Sequence, residues 1–114
     1  MIKIYGIKTC GSVRKAIAFM NKHNIEFEFV DFKTKKVDKS KIKEWATKAP
    51  LDVLLNTKGT KYKTLQLKEL DLDESGKLQW LSDENMLLKR PVIEFGDKLI
   101  VGFDDKIYLD TFVH

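Results

Sequence analysis

MIKIYGIKTCGSVRKAIAFMNKHNIEFEFVDF, residues 1–32, changes its hydrophobic period twice. Ile2 and Ile4 alternate with Lys3, the period of a half-buried strand, and Gly6 breaks the run. From Gly11 the period becomes helical. Val13, Ala16, Ile17 and Met20 form one stripe, with Lys15 and Lys22 away from it. Asn24 suits the end of a helix. Ile25, Phe27 and Phe29 then alternate with Glu26 and Glu28 in a second strand that reaches about Phe32. A strand, a helix and a strand in so short a span make a βαβ unit, in which two parallel strands are joined by a right-handed crossover.

The middle of the chain reads as helical. Asp38 or Ser40 caps a helix with the stripe Ile42, Trp45, Ala46 and Ala49, and Pro50 ends it and opens a short turn, PLDVLL. NTKGT (56–60) is a loop broken at Gly59. Tyr62, Leu65 and Leu70 suggest a short helix, LDLDESGK a polar break, and Trp80 to Lys89 a further helix capped by Ser82. The period then returns to two. PVIEF and KLIV flank Gly96-Asp97, a hairpin signal, and Gly102 ends the second run. Asp104 or Asp105 caps a last helix through Ile107, Tyr108 and Phe112.

The order β-α-β, helices, β-β-α is the thioredoxin/glutaredoxin arrangement. The expected fold is α/β, a four-stranded mixed sheet with helices on both sides and a helical insertion at about 33–88. The 114 residues form one domain, 1–114.

Composition narrows the class. The chain is 43% apolar and 33% charged, and no apolar run approaches the roughly 20 residues of a membrane span. The first residues have neither the apolar stretch nor the cleavage site of a signal peptide, so the expectation is a cytoplasmic protein without a membrane partner. The net charge of +4 is uneven: residues 1–60 carry +7 and residues 61–114 carry −3. The surplus lies in DFKTKKVDKSKIKEWATK and reads as a solvated helix face and loop, with an anionic partner as the alternative. Direct DNA binding is not expected, because no reader motif is present. One cysteine excludes an internal disulfide. With only His23 and His114 besides, the ligands are too few for a structural zinc site, and no metal is expected.

That cysteine, Cys10, falls in the loop between the first strand and the first helix. The thiolate is the nucleophilic form, and helix N-termini and nearby cations lower a thiol's pKa. Lys8 precedes it by two residues, and Arg14 follows in the first turn, able to fold back toward the sulfur or an anionic ligand. Gly11 lets a ligand approach the backbone. The inert alternative, a buried cysteine packed as a small hydrophobe, fits poorly in the polar run Lys-Thr-Cys-Gly-Ser. Arg90-Pro91 is the second feature. A proline before the terminal hairpin would bring a cis peptide loop, and with it Arg90, beside the thiol; the plain reading is a helix stop before an edge strand.

Four motifs, C-x-x-x-R at Cys10 and Arg14, LLNTKGT at 54–60, KRPVI at 89–93 and VGF at 101–103, together resemble the glutaredoxin-type arsenate reductase superfamily, which includes Spx-like regulators. The resemblance spans essentially the whole chain and is most marked to the small YffB-like branch. It implies a thiol oxidoreductase whose cysteine attacks its substrate and whose adduct is reduced by glutathione or glutaredoxin. Glutathione is thus the expected co-substrate, with no bound cofactor, and the substrate is a small oxyanion or an oxidised thiol.

The family's reductases hold arsenate with three arginines. One position is Arg90 here, a second is Asn56, and the third, in the VGF region, has no arginine; the histidine that precedes the family's cysteine is replaced by Gly6. Lys58 stands near the second position as a point charge rather than a fork. Efficient arsenate reduction is not expected from this set. The Spx-like members imply the alternative, a non-enzymatic transcriptional regulator that binds RNA polymerase. Many of these carry a C-x-x-C switch, and Val13 occupies its second position here. The candidate site is therefore Cys10 and Arg14 for catalysis, with Lys8, Gly11, Arg90, Pro91, Asn56 and Lys58 for substrate or thiol binding.

Overall fold

The computed structural model describes residues 1–113, and His114 lies outside them. The elements are β1 (Ile2–Gly6), α1 (Gly11–Lys22), β2 (Phe27–Asp31), α2 (Lys39–Ala46), α3 (Leu51–Leu54), α4 (Thr60–Thr64), α5 (Glu74–Asp83), β3 (Val92–Phe95), β4 (Lys98–Val101) and α6 (Asp105–Phe112). The chain divides into two compact units. Met1–Lys35 and the chain from Arg90 onward form the first, and Lys36–Lys89 forms the second.

The first unit is built on a mixed sheet of order β2-β1-β3-β4. β1 runs parallel to β2 and antiparallel to β3, which pairs antiparallel with β4. The register follows the hydrophobic alternation, placing Ile4 opposite Phe29 on one side and Ile93 on the other. Ile2, Ile4 and Ile93 share a buried cluster with Ala16, Phe19 and Met20 of α1 and Tyr108 of α6. Within this unit both helices therefore pack on one sheet face, that of Ile2, Ile4 and Ile93. Each large aliphatic side chain buried in this way contributes about 1.5–3 kcal/mol. Rings complete the cluster, with Tyr108 edge-on to Phe19, Phe103 and Phe112.

Local chemistry sets the ends of the elements. Asn24 takes φ +55° just past α1, and Gly96 takes φ +61° in the hairpin. Gly6 is the last residue of β1 rather than a breaker before the loop, and it pairs with Asp31. A Cβ there would lie 2.6 Å from Val13 Cγ2, so strand and helix touch where the glycine leaves room. Asp104 caps α6, accepting the Ile107 N–H at 3.1 Å.

In the second unit, α2 packs Ile42 and Trp45 inward and is capped by Asp38, whose carboxylate accepts the Lys41 N–H at 2.9 Å. The expected helix around Tyr62–Leu70 forms as two pieces, α4 and a 3-10 turn at Leu67–Leu70, because Gln66 sits in the left-handed region. A larger correction concerns α5. Its first turn is the polar stretch expected as a break, and its cap is Asp73, whose carboxylate accepts the Gly76 N–H at 2.7 Å; Ser82 lies inside the helix. α5 ends at Asp83 because the buried Asn85 turns the chain. Its Oδ1 accepts the Val37 N–H at 2.7 Å, and its Nδ2 donates to the carbonyls of Val37 (3.1 Å) and Leu81 (2.9 Å). No helix of the described residues is long and apolar enough to cross a membrane.

Candidate active site

Cys10 follows β1 through a short turn in which its N–H donates to the Ile7 carbonyl at 3.2 Å. It is the N-cap residue of α1, and its carbonyl accepts the Arg14 N–H at 3.0 Å as the first helical bond. The opening amides of a helix have no intrahelical acceptors. Cys10 makes no side-chain cap hydrogen bond, but the nearby amides of Ser12 and Val13 favour the charged form of its sulfur.

Arg90 comes from the first unit's other sequence segment. The Arg90-Pro91 peptide is cis, and the Arg90 guanidinium reaches the Cys10 sulfur as hydrogen-bond donor and positive charge. Partial burial pushes the Cys10 thiol up. The Val13 N–H, the Arg90 side chain and the Ser12 N–H together outweigh it, leaving the thiol below its ordinary value. Cys10 remains half-exposed, so a small reactant can reach the sulfur.

The other cations are placed elsewhere. Arg14 directs its Nε to the Lys8 carbonyl at 3.0 Å, and Lys8 itself is exposed. The side chain at the sulfur is thus Arg90, where the local sequence pointed to Lys8 and Arg14. The Arg14–Lys8 bond ties the loop to the first turn of α1. Gly11 is exposed, and a Cβ there would meet nothing within 4 Å, so the helix start is open beside the thiol.

Pro91 is buried, and its carbonyl accepts the Gly102 N–H at 2.8 Å. The Gly102 carbonyl in turn accepts the Tyr108 hydroxyl at 2.6 Å. The sequence gives Gly102 a place in the VGF motif without a role at the site, and Tyr108 only a place on the last helix. Asn56 and Lys58 belong to the second unit. There Asn56 Oδ1 accepts the Lys58 N–H at 3.3 Å, and the Asn56 carbonyl accepts the Gly59 N–H at 3.2 Å, making a tight turn before α4. Among the described residues no group of three or more His, Cys, Asp or Glu side chains is placed to hold a metal.

The model of the ArsC family matches residues 5–111. An uncharacterized protein of Haemophilus influenzae is 35% identical over 114 residues, covering 98% of this chain and 99% of that protein. An arsenate reductase of the same organism is 26% identical over 87% of this chain and 88% of its own. The global transcriptional regulator Spx of Streptococcus agalactiae is 25% identical over 92% of this chain and 78% of its own. Among solved structures, a YffB protein superposes with a TM-score of 0.91 at 29% identity, covering 96% of this chain and 97% of that one. A glutaredoxin from Archaeoglobus fulgidus superposes at a TM-score of 0.50 and 15% identity over 99% of this chain and 86% of its own, a likeness of fold.

Proposed function

The chain belongs to the ArsC family, and from that premise we propose that it is a thiol oxidoreductase with Cys10 as its single nucleophile. One observation carries the reading: at the start of α1 the Arg90 side chain and the amides of Val13 and Ser12 all favour the charged form of the Cys10 thiol. Donors arranged in this way favour the thiolate before any substrate arrives. The substrate is an oxidised thiol or a small oxyanion. With an oxidised thiol, the thiolate attacks one sulfur of the substrate disulfide, forms a mixed disulfide and expels the other sulfur as thiolate. The chain has no second cysteine to resolve this intermediate. An external thiol must do so, and glutathione or a glutaredoxin is the reductant we propose. It attacks the mixed disulfide, returns Cys10 as thiolate and carries the new disulfide away. Arg90 holds the anionic end of the substrate, with Lys8, Gly11 and Pro91 around the entry. The reducing cytoplasm is the compartment that fits this chemistry.

Mass spectrometry after exposure to glutathione disulfide, combined with the pH dependence of Cys10 alkylation, tests the reading. Glutathionylation confined to Cys10, with an alkylation rate that levels off at lower pH than that of an ordinary thiol, is expected. A rate still rising through pH 8–9, as for an ordinary thiol with pKa about 8.5, would overturn it.

The Spx relatives support a second reading, a regulator that binds RNA polymerase without chemistry at the thiol. Wild type and Cys10→Ser capturing purified polymerase equally well would favour that reading. Capture by neither would leave the oxidoreductase.

A further inference from the structure

The polar contacts around Pro91 continue to a residue with no contact to the thiol. Gly102 leaves β4 with φ +88°, a conformation suited to glycine. Its N–H donates to the Pro91 carbonyl at 2.8 Å, and its carbonyl accepts the Tyr108 hydroxyl at 2.6 Å. Tyr108 is 0% exposed and held by rings on three sides, Phe19, Phe103 and Phe112. A buried tyrosine needs a partner for its hydroxyl, and here the partner is the carbonyl of the residue that clamps the backbone next to Arg90.

We propose that Tyr108 is a positioning residue of the active site: through Gly102 and Pro91 its hydroxyl holds the Arg90 backbone, and so the Arg90 guanidinium, at the Cys10 sulfur. The inference rests on Cys10 being the reacting group. Hydrogen bonds in series fix each other's geometry, and an arginine fork is sensitive to small displacements. Burial and the nearby Asp104 carboxylate push the Tyr108 hydroxyl above its ordinary range, so it stays protonated and donating wherever Cys10 titrates. The charged group acting on the sulfur is Arg90. Lys8 and Arg14, on the adjoining loop and helix, are joined by the bond from Arg14 Nε to the Lys8 carbonyl.

Tyr108→Phe keeps the ring and removes the hydroxyl. Iodoacetamide alkylation of Cys10 is followed against pH in wild type, Tyr108→Phe, Arg90→Gln and the double variant, with thermal melting of each. The expected result is alkylation about threefold slower at neutral pH in Tyr108→Phe, through a smaller thiolate fraction, with the rate at high pH unchanged. In the Arg90→Gln background the same change has no further effect, because the hydroxyl acts through Arg90. A lowered melting temperature with an unmoved pH profile would make Tyr108 structural only and overturn the inference. So would an equal effect with and without Arg90. If Tyr108→Phe does not fold, Tyr108→Met removes the same hydroxyl and is read in the same way. Failure of the underlying reading looks different: the wild-type rate itself would still climb through pH 8–9.

Discussion

The Arg90 side chain lowers the pKa of the Cys10 thiol as hydrogen-bond donor and charge, although the whole second unit separates the two residues in sequence. This pair distinguishes the thiol from a cysteine that merely begins a helix. Arg90→Gln removes the charge and the fork, and we expect Cys10 alkylation at neutral pH to slow about 3–10-fold, the scale of one charge-assisted bond weakened by solvent at a half-exposed site. Arg90→Lys restores part of the rate as a point charge. Stopped-flow alkylation checks both.

Arg14→Ala is the contrasting case. Its Nε bond to the Lys8 carbonyl is exposed, so its loss costs about 0.5–1 kcal/mol of stability and leaves alkylation within about twofold of wild type. A loss as large as that of Arg90→Gln would return Arg14 to the sulfur.

Stability should follow the Cys10 thiol. Its folded pKa is depressed, so the thiolate's contribution is complete above the unfolded thiol's value of about 8.5 and fades as pH falls through the folded value. Urea titrations of wild type and Cys10→Ser should therefore show a difference that grows with pH and then flattens. A difference that shrinks with rising pH contradicts the depressed thiol.

Gly6→Ala places a methyl 2.6 Å from Val13 Cγ2. Overpacking of this kind costs about 1–3 kcal/mol, and each kcal/mol lowers the melting temperature of a domain this size by about 4 °C. Calorimetry that finds no loss would mean α1 moves freely away from β1.

Asn85→Ala deletes three buried hydrogen bonds to Val37 and Leu81. The expected cost is about 2–4 kcal/mol, located in the second unit. Hydrogen exchange should show lost protection at the amides of Val37 and α5, with the sheet of the first unit unchanged.

What the sequence determined by itself was the framework of the first unit. Periods of two and 3.6, with punctuation at Asn24 and Gly96, specify β1-α1-β2 and the terminal hairpin, because burying one face is a local requirement written in side-chain spacing. The lone cysteine at the start of α1 was legible for the same reason. The start of α5 was not, since Asp73 and Gly76 form a cap in a stretch as polar as a loop. Nor was the direction of Arg14, which depends on which carbonyl a flexible side chain reaches. The Arg90-Pro91 pair already pointed to Arg90 beside the thiol, but the tertiary structure alone decided that Arg14 turns to the Lys8 carbonyl rather than the sulfur and that Tyr108 supports the Arg90 loop. The Arg90 contact joins segments on either side of the second unit, while the Tyr108 hydroxyl reaches Gly102 across only six residues and bears on Arg90 through the Gly102–Pro91 bond; no local pattern of residues encodes that combination.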